Sequence, residues 1–234
     1  MEHQIIGTTM PVLEIQLAPN ESVIAESGEL SWMSPSISMT TSAGGGLSGG
    51  GGLFGAVKRM AGGGGLFLTT YTAQPPGGLV AFAAKLPGQI FPIQVSSGGG
   101  YMAHKHGFLC GTPGIGISMG FQQSLGAGIF GGEGFILQQI GGEGIAYIEL
   151  SGEIIVRDLQ PGESLLVHPG HVGLFQAGMP FQIVTIRGIK NKLFGGDGIF
   201  LASLTGPGRI WLQSMPIPGL ANAIAPYLPQ PNIR

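Results

Sequence analysis

The chain has little charge. Asp, Glu, Lys and Arg make up 9% of its 234 residues, against about a quarter of a typical soluble domain. Net charge is −2, so no overall basic field draws in nucleic acid or anionic lipid. Cysteine is nearly absent. Cys110 alone cannot build an internal disulfide framework, and its isolation fits a reducing compartment. Long apolar runs are missing too: Glu133, Glu143, Arg187 and prolines break the greasiest stretches, so no segment reads as a membrane span. The opening Met1-Glu2-His3-Gln4 shows neither a basic region before an apolar stretch nor an Arg-rich pattern, so no secretory signal or transit peptide is read there. The expectation is a cytoplasmic protein. Helical periodicity is almost lacking, with short helical turns expected only near 53–60 and 220–227.

What is abundant is glycine, at 45 residues, beside an ordinary 43% of hydrophobic residues. Such a chain can bury a core but has few charges left to cover its outside. Apolar patches of several hundred Å² are rarely left in water, so the composition predicts a homo-oligomer, with a further protein partner as an open alternative.

One signature occurs three times: Gly62-Gly63-Gly64-Gly65-Leu66-Phe67-Leu68, Gly131-Gly132-Glu133-Gly134-Phe135-Ile136-Leu137 and Gly195-Gly196-Asp197-Gly198-Ile199-Phe200-Leu201. A turn follows each, at Pro76-Gly77-Gly78, Gly141 to Gly144 and Gly206-Pro207-Gly208, and then a second apolar run. The pattern reads as a β-hairpin with glycine at the turn. A second signature precedes each. Leu17-Ala18-Pro19-Asn20-Glu21-Ser22 leads to Gly28, and Leu159-Gln160-Pro161-Gly162-Glu163-Ser164 leads to Gly170, 142 residues later. The middle copy is looser and runs from Val95 to Gly107. These repeats predict a single all-β domain over 1–234. It is a sandwich or prism of three pseudo-equivalent modules at 11–87, 88–152 and 153–216, with a tail at 217–234 and almost no helix.

Several of these residues carry a family likeness: Gly44-Gly45-Gly46, Lys58-Arg59 ahead of Gly65-Leu66-Phe67-Leu68, Pro87-Gly88, the Gly195 to Ile199 hairpin, and Thr205-Gly206-Pro207-Gly208. Their order and spacing resemble the altered-inheritance-of-mitochondria (mitochondrial biogenesis) family, formerly a domain of unknown function, over about residues 5 to 216. The resemblance implies a fold like that of the tryptophan RNA-binding attenuation protein (TRAP-like). It implies no catalytic residues. The mitochondrial role of eukaryotic members is not carried over, because no transit peptide is read.

Chemistry-bearing residues are sparse. His104 and His106 lie two apart on one strand, and with His168 they resemble a cupin metal motif. The Glu ligand expected after the second His is missing, because Phe108 to Thr112 occupy its place. Counted back from Gly107 and Gly170, His104 and His168 fall on opposite strand faces, whereas metal ligands must share one. The glycine-rich stretch 44–65 encloses Lys58 and Arg59 but lacks the phosphate-loop pattern. Those two cations, with the cluster Arg187, Lys190 and Lys192, are the candidate contacts to RNA phosphates or anionic head groups; the three charges of the cluster give only modest, salt-sensitive binding unless an oligomer multiplies them. Glu21 matches Glu163 and Glu133 matches Asp197, which fits turn roles rather than a catalytic pair. No nucleophile elbow is present. Cys110, in an apolar stretch, reads as buried and inert. No cofactor motif is read. The expectation is a non-catalytic, oligomeric binding or scaffold protein. RNA or small-ligand binding, a cupin-like metalloenzyme and membrane-surface association are the alternatives.

Overall fold

The computed structural model describes residues 1–43, 67–123, 134–186 and 199–229. Their regular secondary structure is almost entirely strand. After β1 (Glu2–Ile6) the first module holds β2 (Val12–Leu17), β3 (Ser22–Glu26), β4 (Trp32–Met33), β5 (Ile37–Ala43), β6 (Phe67–Ala73) and β7 (Gly78–Ala83). The second holds β8 (Gly88–Val95), β9 (Tyr101–His104), β10 (Phe108–Gly111), β11 (Ile115–Gln123), β12 (Phe135–Gly142) and β13 (Gly144–Ser151). The third holds β14 (Ile154–Leu159), β15 (Ser164–Val167), β16 (Val172–Gln176), β17 (Phe181–Ile186), β18 (Ile199–Thr205) and β19 (Gly208–Gln213). Period-two alternation makes these strands. In β2, Leu13, Ile15 and Leu17 are buried while Gln16 faces out.

Four sheets form, ordered β1-β2-β7-β4, β5-β6-β3-β10-β13-β8, β11-β12-β9-β16-β19-β14 and β15-β18-β17. Each module contributes its fourth, fifth and second strands to one sheet and its third, sixth and first to another. Its core lies between those two half-sheets. Neighbouring modules are joined where the second strand of one pairs with the third strand of the next, as β3 with β10 and β9 with β16.

The paired register shows which backbone positions of the three modules are equivalent. Leu68, Leu137 and Leu201 occupy one position of the fifth strand, opposite Ser42, Phe121 and Val184. Ala25, Ala103 and Val167 occupy one position of the second strand, opposite Thr69, Gln138 and Ala202.

The hairpin expectation is corrected. The fifth and sixth strands of a module do not pair; β6 and β7, β12 and β13, and β18 and β19 each lie in different sheets. The glycine turn between them is a corner where the chain changes sheet. A turn signal shows that the chain reverses but not which edge it joins. The corners need glycine for room as well as dihedral freedom. At Gly208, φ is +154° and an added Cβ would lie 2.5 Å from the Met179 Sδ.

The expected helical turn near 220–227 appears as α1 (Ile217–Ile224), followed by a short 3₁₀ turn at Ala225–Tyr227. The expected helical turn near 53–60 lies outside the described residues.

Candidate functional site

One cleft lies beside α1 and draws its lining from all three modules. It measures about 290 Å³ and is lined by Lys85, Leu86, His104, His106, Glu149, Ser151, Gln213 and Ile217. A smaller neighbouring cleft of about 110 Å³ shares His104, His106 and Ile217.

Local structure sets these side chains. His104 ends β9, and the tight turn that follows is closed by Gly107 N–H donating to the His104 carbonyl at 2.6 Å. The His104 and His106 ring centroids lie 6.0 Å apart. Burial, then the adjacent His106 and Lys105, push the His104 pKa down to about 4. Glu149 sits on β13 and is buried. Its carboxylate accepts the Lys85 backbone N–H at 2.7 Å. Burial raises its pKa above the usual carboxylate range, partly offset by that hydrogen bond. The Lys85 ammonium is paired with the buried Glu29. Glu26, at the end of β3, accepts from Gln138 Nε2 at 2.5 Å, and burial raises its pKa as well. The network therefore joins residues of the first module (Glu26, Glu29, Lys85) to residues of the second (Gln138, Glu149).

The next junction has its counterpart. Glu149 and Gln213 occupy the same position of the sixth strand. Gln213 Oε1 accepts the Ser151 backbone N–H at 3.2 Å, as Glu149 accepts that of Lys85. Gln213 also donates to the Gly170 carbonyl at 2.9 Å, and His171 Nδ1 lies 2.7 Å from the Gln213 carbonyl oxygen.

The histidines expected from the sequence separate. His104 and His106 belong to the second module, whereas His168 stacks edge-on against His171 in the third, at 5.8 Å between centroids. Among the described residues no three His, Cys, Asp or Glu side chains cluster so as to hold a metal ion. One earlier inference is corrected. The register puts Glu26, His104 and His168 one residue after the equivalent Ala25, Ala103 and Val167. His104 and His168 are thus separated by module rather than by strand face. The glycines are not equivalent markers, because the middle copy carries its glycine one residue late, at Gly107 instead of position 106. Glu29, Lys85, Glu149 and Gln213 were not legible as a group; only the shared position of Glu149 and Gln213 after the turn glycines Gly144 and Gly208 signals them.

Glu21 and Glu163 have matching turn roles. Each carboxylate accepts a backbone N–H three residues earlier, from Ala18 and from Gln160, both at 2.8 Å. Glu21 also accepts from the N-terminal ammonium at 2.8 Å, which holds its carboxyl below the ordinary value. Cys110 is fully buried in β10, and burial raises its thiol pKa. Lys58, Arg59, Arg187, Lys190 and Lys192 lie outside the described residues, as do Glu133 and Asp197. No helix of the described residues is long and apolar enough to cross a membrane.

The whole architecture has relatives. An uncharacterized protein of Streptococcus pyogenes serotype M6 is 27% identical over 220 residues, covering 94% of this chain and 87% of its own length. A crystal structure of a protein from Streptococcus pyogenes superposes with a TM-score of 0.74 at 23% identity, covering 97% of this chain and 99% of that one. The model of the family described as mitochondrial biogenesis AIM24 matches residues 3–215. A match over the full set of three modules places this chain in the mitochondrial biogenesis AIM24 family.

Proposed function

We propose that this protein is a non-catalytic scaffold that works by associating with protein, including copies of itself. The observation that carries the reading is where apolar side chains are left in water. Trp32 on β4, Ile155 and Val156 on β14, and Leu166 on β15 are all exposed, and β4, β14 and β15 each lie at the edge of a sheet. Exposed apolar edges of this kind are rarely left unpaired. The cleft groups support the non-catalytic part. Glu149 and Glu29 are both engaged by Lys85, and Gln213 by backbone groups of two modules, so these polar groups serve to hold modules together.

Sedimentation velocity across a concentration series tests the reading. A species heavier than the 24.0 kDa chain is expected, growing with concentration. A monomer at every concentration, with no stability change on adding candidate partners, would overturn it.

A further inference from the structure

Two junctions inside the chain are built alike. At each, the second strand of one module pairs antiparallel with the third strand of the next, in one register. Cys110 faces Ala25 and Gly111 faces Ile24; Leu174 faces Ala103 and Phe175 faces Met102. The second strand also sends a side chain into its neighbour's core. Ile24, from the first module, packs into the core of the second, and Met102, from the second, packs against the core of the third.

The two ends of the array carry the same elements, and among the described residues no further strand pairs with them. Leu166 is the third-module counterpart of Ile24 and Met102, because Val167 matches Ala25 and Ala103. Ile24 is 7% exposed and Leu166 is 51% exposed. Trp32 is the first-module counterpart of Cys110 and Leu174, as shown by its pairing with Ala81 on the sixth strand, where they pair with Tyr147 and Trp211. Cys110 and Leu174 are fully buried, yet Trp32 is 46% exposed. Both strands end their sheets, and they are not paired with each other. The third module thus presents the donor half of a junction, and the first module presents the acceptor half.

From this we infer that a second copy of the chain completes the junction head to tail, β15 of one copy pairing with β4 of the next. Val167 then faces Trp32, Leu166 faces Met33, and Leu166 enters the first-module core of the neighbouring copy. This rests on the reading of the protein as self-associating and specifies the interface. Such a contact is heterologous, so it runs on or closes into a ring. It lacks one clasp. The position held by Glu149 and Gln213 at the internal junctions is Ala83 in the first module. With no side-chain acceptor there, the contact between copies is weaker than the internal ones and dissociates on dilution.

Two chains with one added cysteine each test the pairing, Met33→Cys and Leu166→Cys, oxidised separately and as a mixture. Directly opposed residues in an antiparallel pair bring Cα atoms to about 4.5–5.5 Å, within disulfide reach. The mixture is expected to give a disulfide-linked dimer at least tenfold in excess of either chain alone. Cys110 is buried and does not compete. Leu166→Lys, on an already exposed side chain, is expected to weaken association at least tenfold in sedimentation velocity, while Leu166→Met, which copies Met102, preserves it. If the wild type associates but the mixture shows no excess cross-linking and Leu166→Lys associates normally, this interface is wrong and the scaffold reading survives. A disulfide formed within one chain carrying both cysteines would also overturn it. A wild type that never associates removes both.

Discussion

The two internal junctions share a backbone and differ in chemistry. Between the first and second modules the clasp is a carboxylate, Glu149, set beside Lys85 and Glu29. Between the second and third it is an amide, Gln213, which joins Ser151 to Gly170. The same backbone N–H is satisfied in both. The clasp of one junction, a carboxylate, can titrate and the clasp of the other, an amide, cannot. Repetition therefore sets where a hydrogen bond must be made, while each copy is free to choose the group that makes it. What the position cannot tolerate inside the array is the absence of an acceptor, because an unpaired buried N–H costs about 1–3 kcal/mol.

The sharpest way to break this comparison is to remove the neutral clasp. Gln213→Ala strands the Ser151 N–H and the Gly170 carbonyl in a buried site, and should cost about 2–5 kcal/mol by urea denaturation. A cost below about 0.5 kcal/mol would mean that water replaces the amide and that the clasp is not structural.

A smaller effect is confined to acid. The folded-state pKa of His104 is depressed from 6.5 to about 4. The folded protein therefore binds fewer protons than the unfolded chain in that interval, and stability is lost as pH falls from about 6.5 toward about 4. The loss attributable to His104 is roughly 1–3 kcal/mol. His104→Gln should flatten the melting temperature over that interval, and an unchanged profile would show that His104 is free to titrate normally.

The smallest effect is expected from making the two clasps alike. Glu149→Gln keeps an oxygen for the Lys85 N–H and removes a buried charge, so stability at neutral pH should change by less than about 1 kcal/mol. The pH dependence should change more. The raised Glu149 pKa favours the folded state when this group is protonated, a contribution present below its ordinary value of 4.5 and lost as pH rises through the folded-state value. The variant should lack that loss. A large destabilisation at neutral pH would instead show that the Lys85 and Glu29 pair depends on the Glu149 charge.

Much of this architecture was legible. The strands around Leu68, Leu137 and Leu201, the matched turns at Glu21 and Glu163 and the near absence of helix among the described residues all follow from apolar alternation and glycine spacing, which act over a few residues. The partners of those strands were not legible. The turns at Gly77, Gly144 and Gly208 read as hairpins but are corners between sheets, because local dihedral preference says nothing about which distant edge is free. Glycine identity also misaligned the middle copy by one residue, and that single step put His104 and His168 on opposite faces. The candidate cleft was missed for a related reason: Lys85 and Glu149 are 64 residues apart, and no local pattern joins them.

By itself the sequence determined that this chain is a threefold β repeat, poor in charge and, among the described residues, with little helix. Those properties depend on residues close together in the chain. Only the tertiary structure decided that each module shares its sheets with the next, that Glu149 and Gln213 do the same work at successive junctions, and that β15 and β4 end their sheets among the described residues. Edge pairing is a long-range choice among many chemically similar strands, and it is settled by which apolar faces can be buried together in three dimensions.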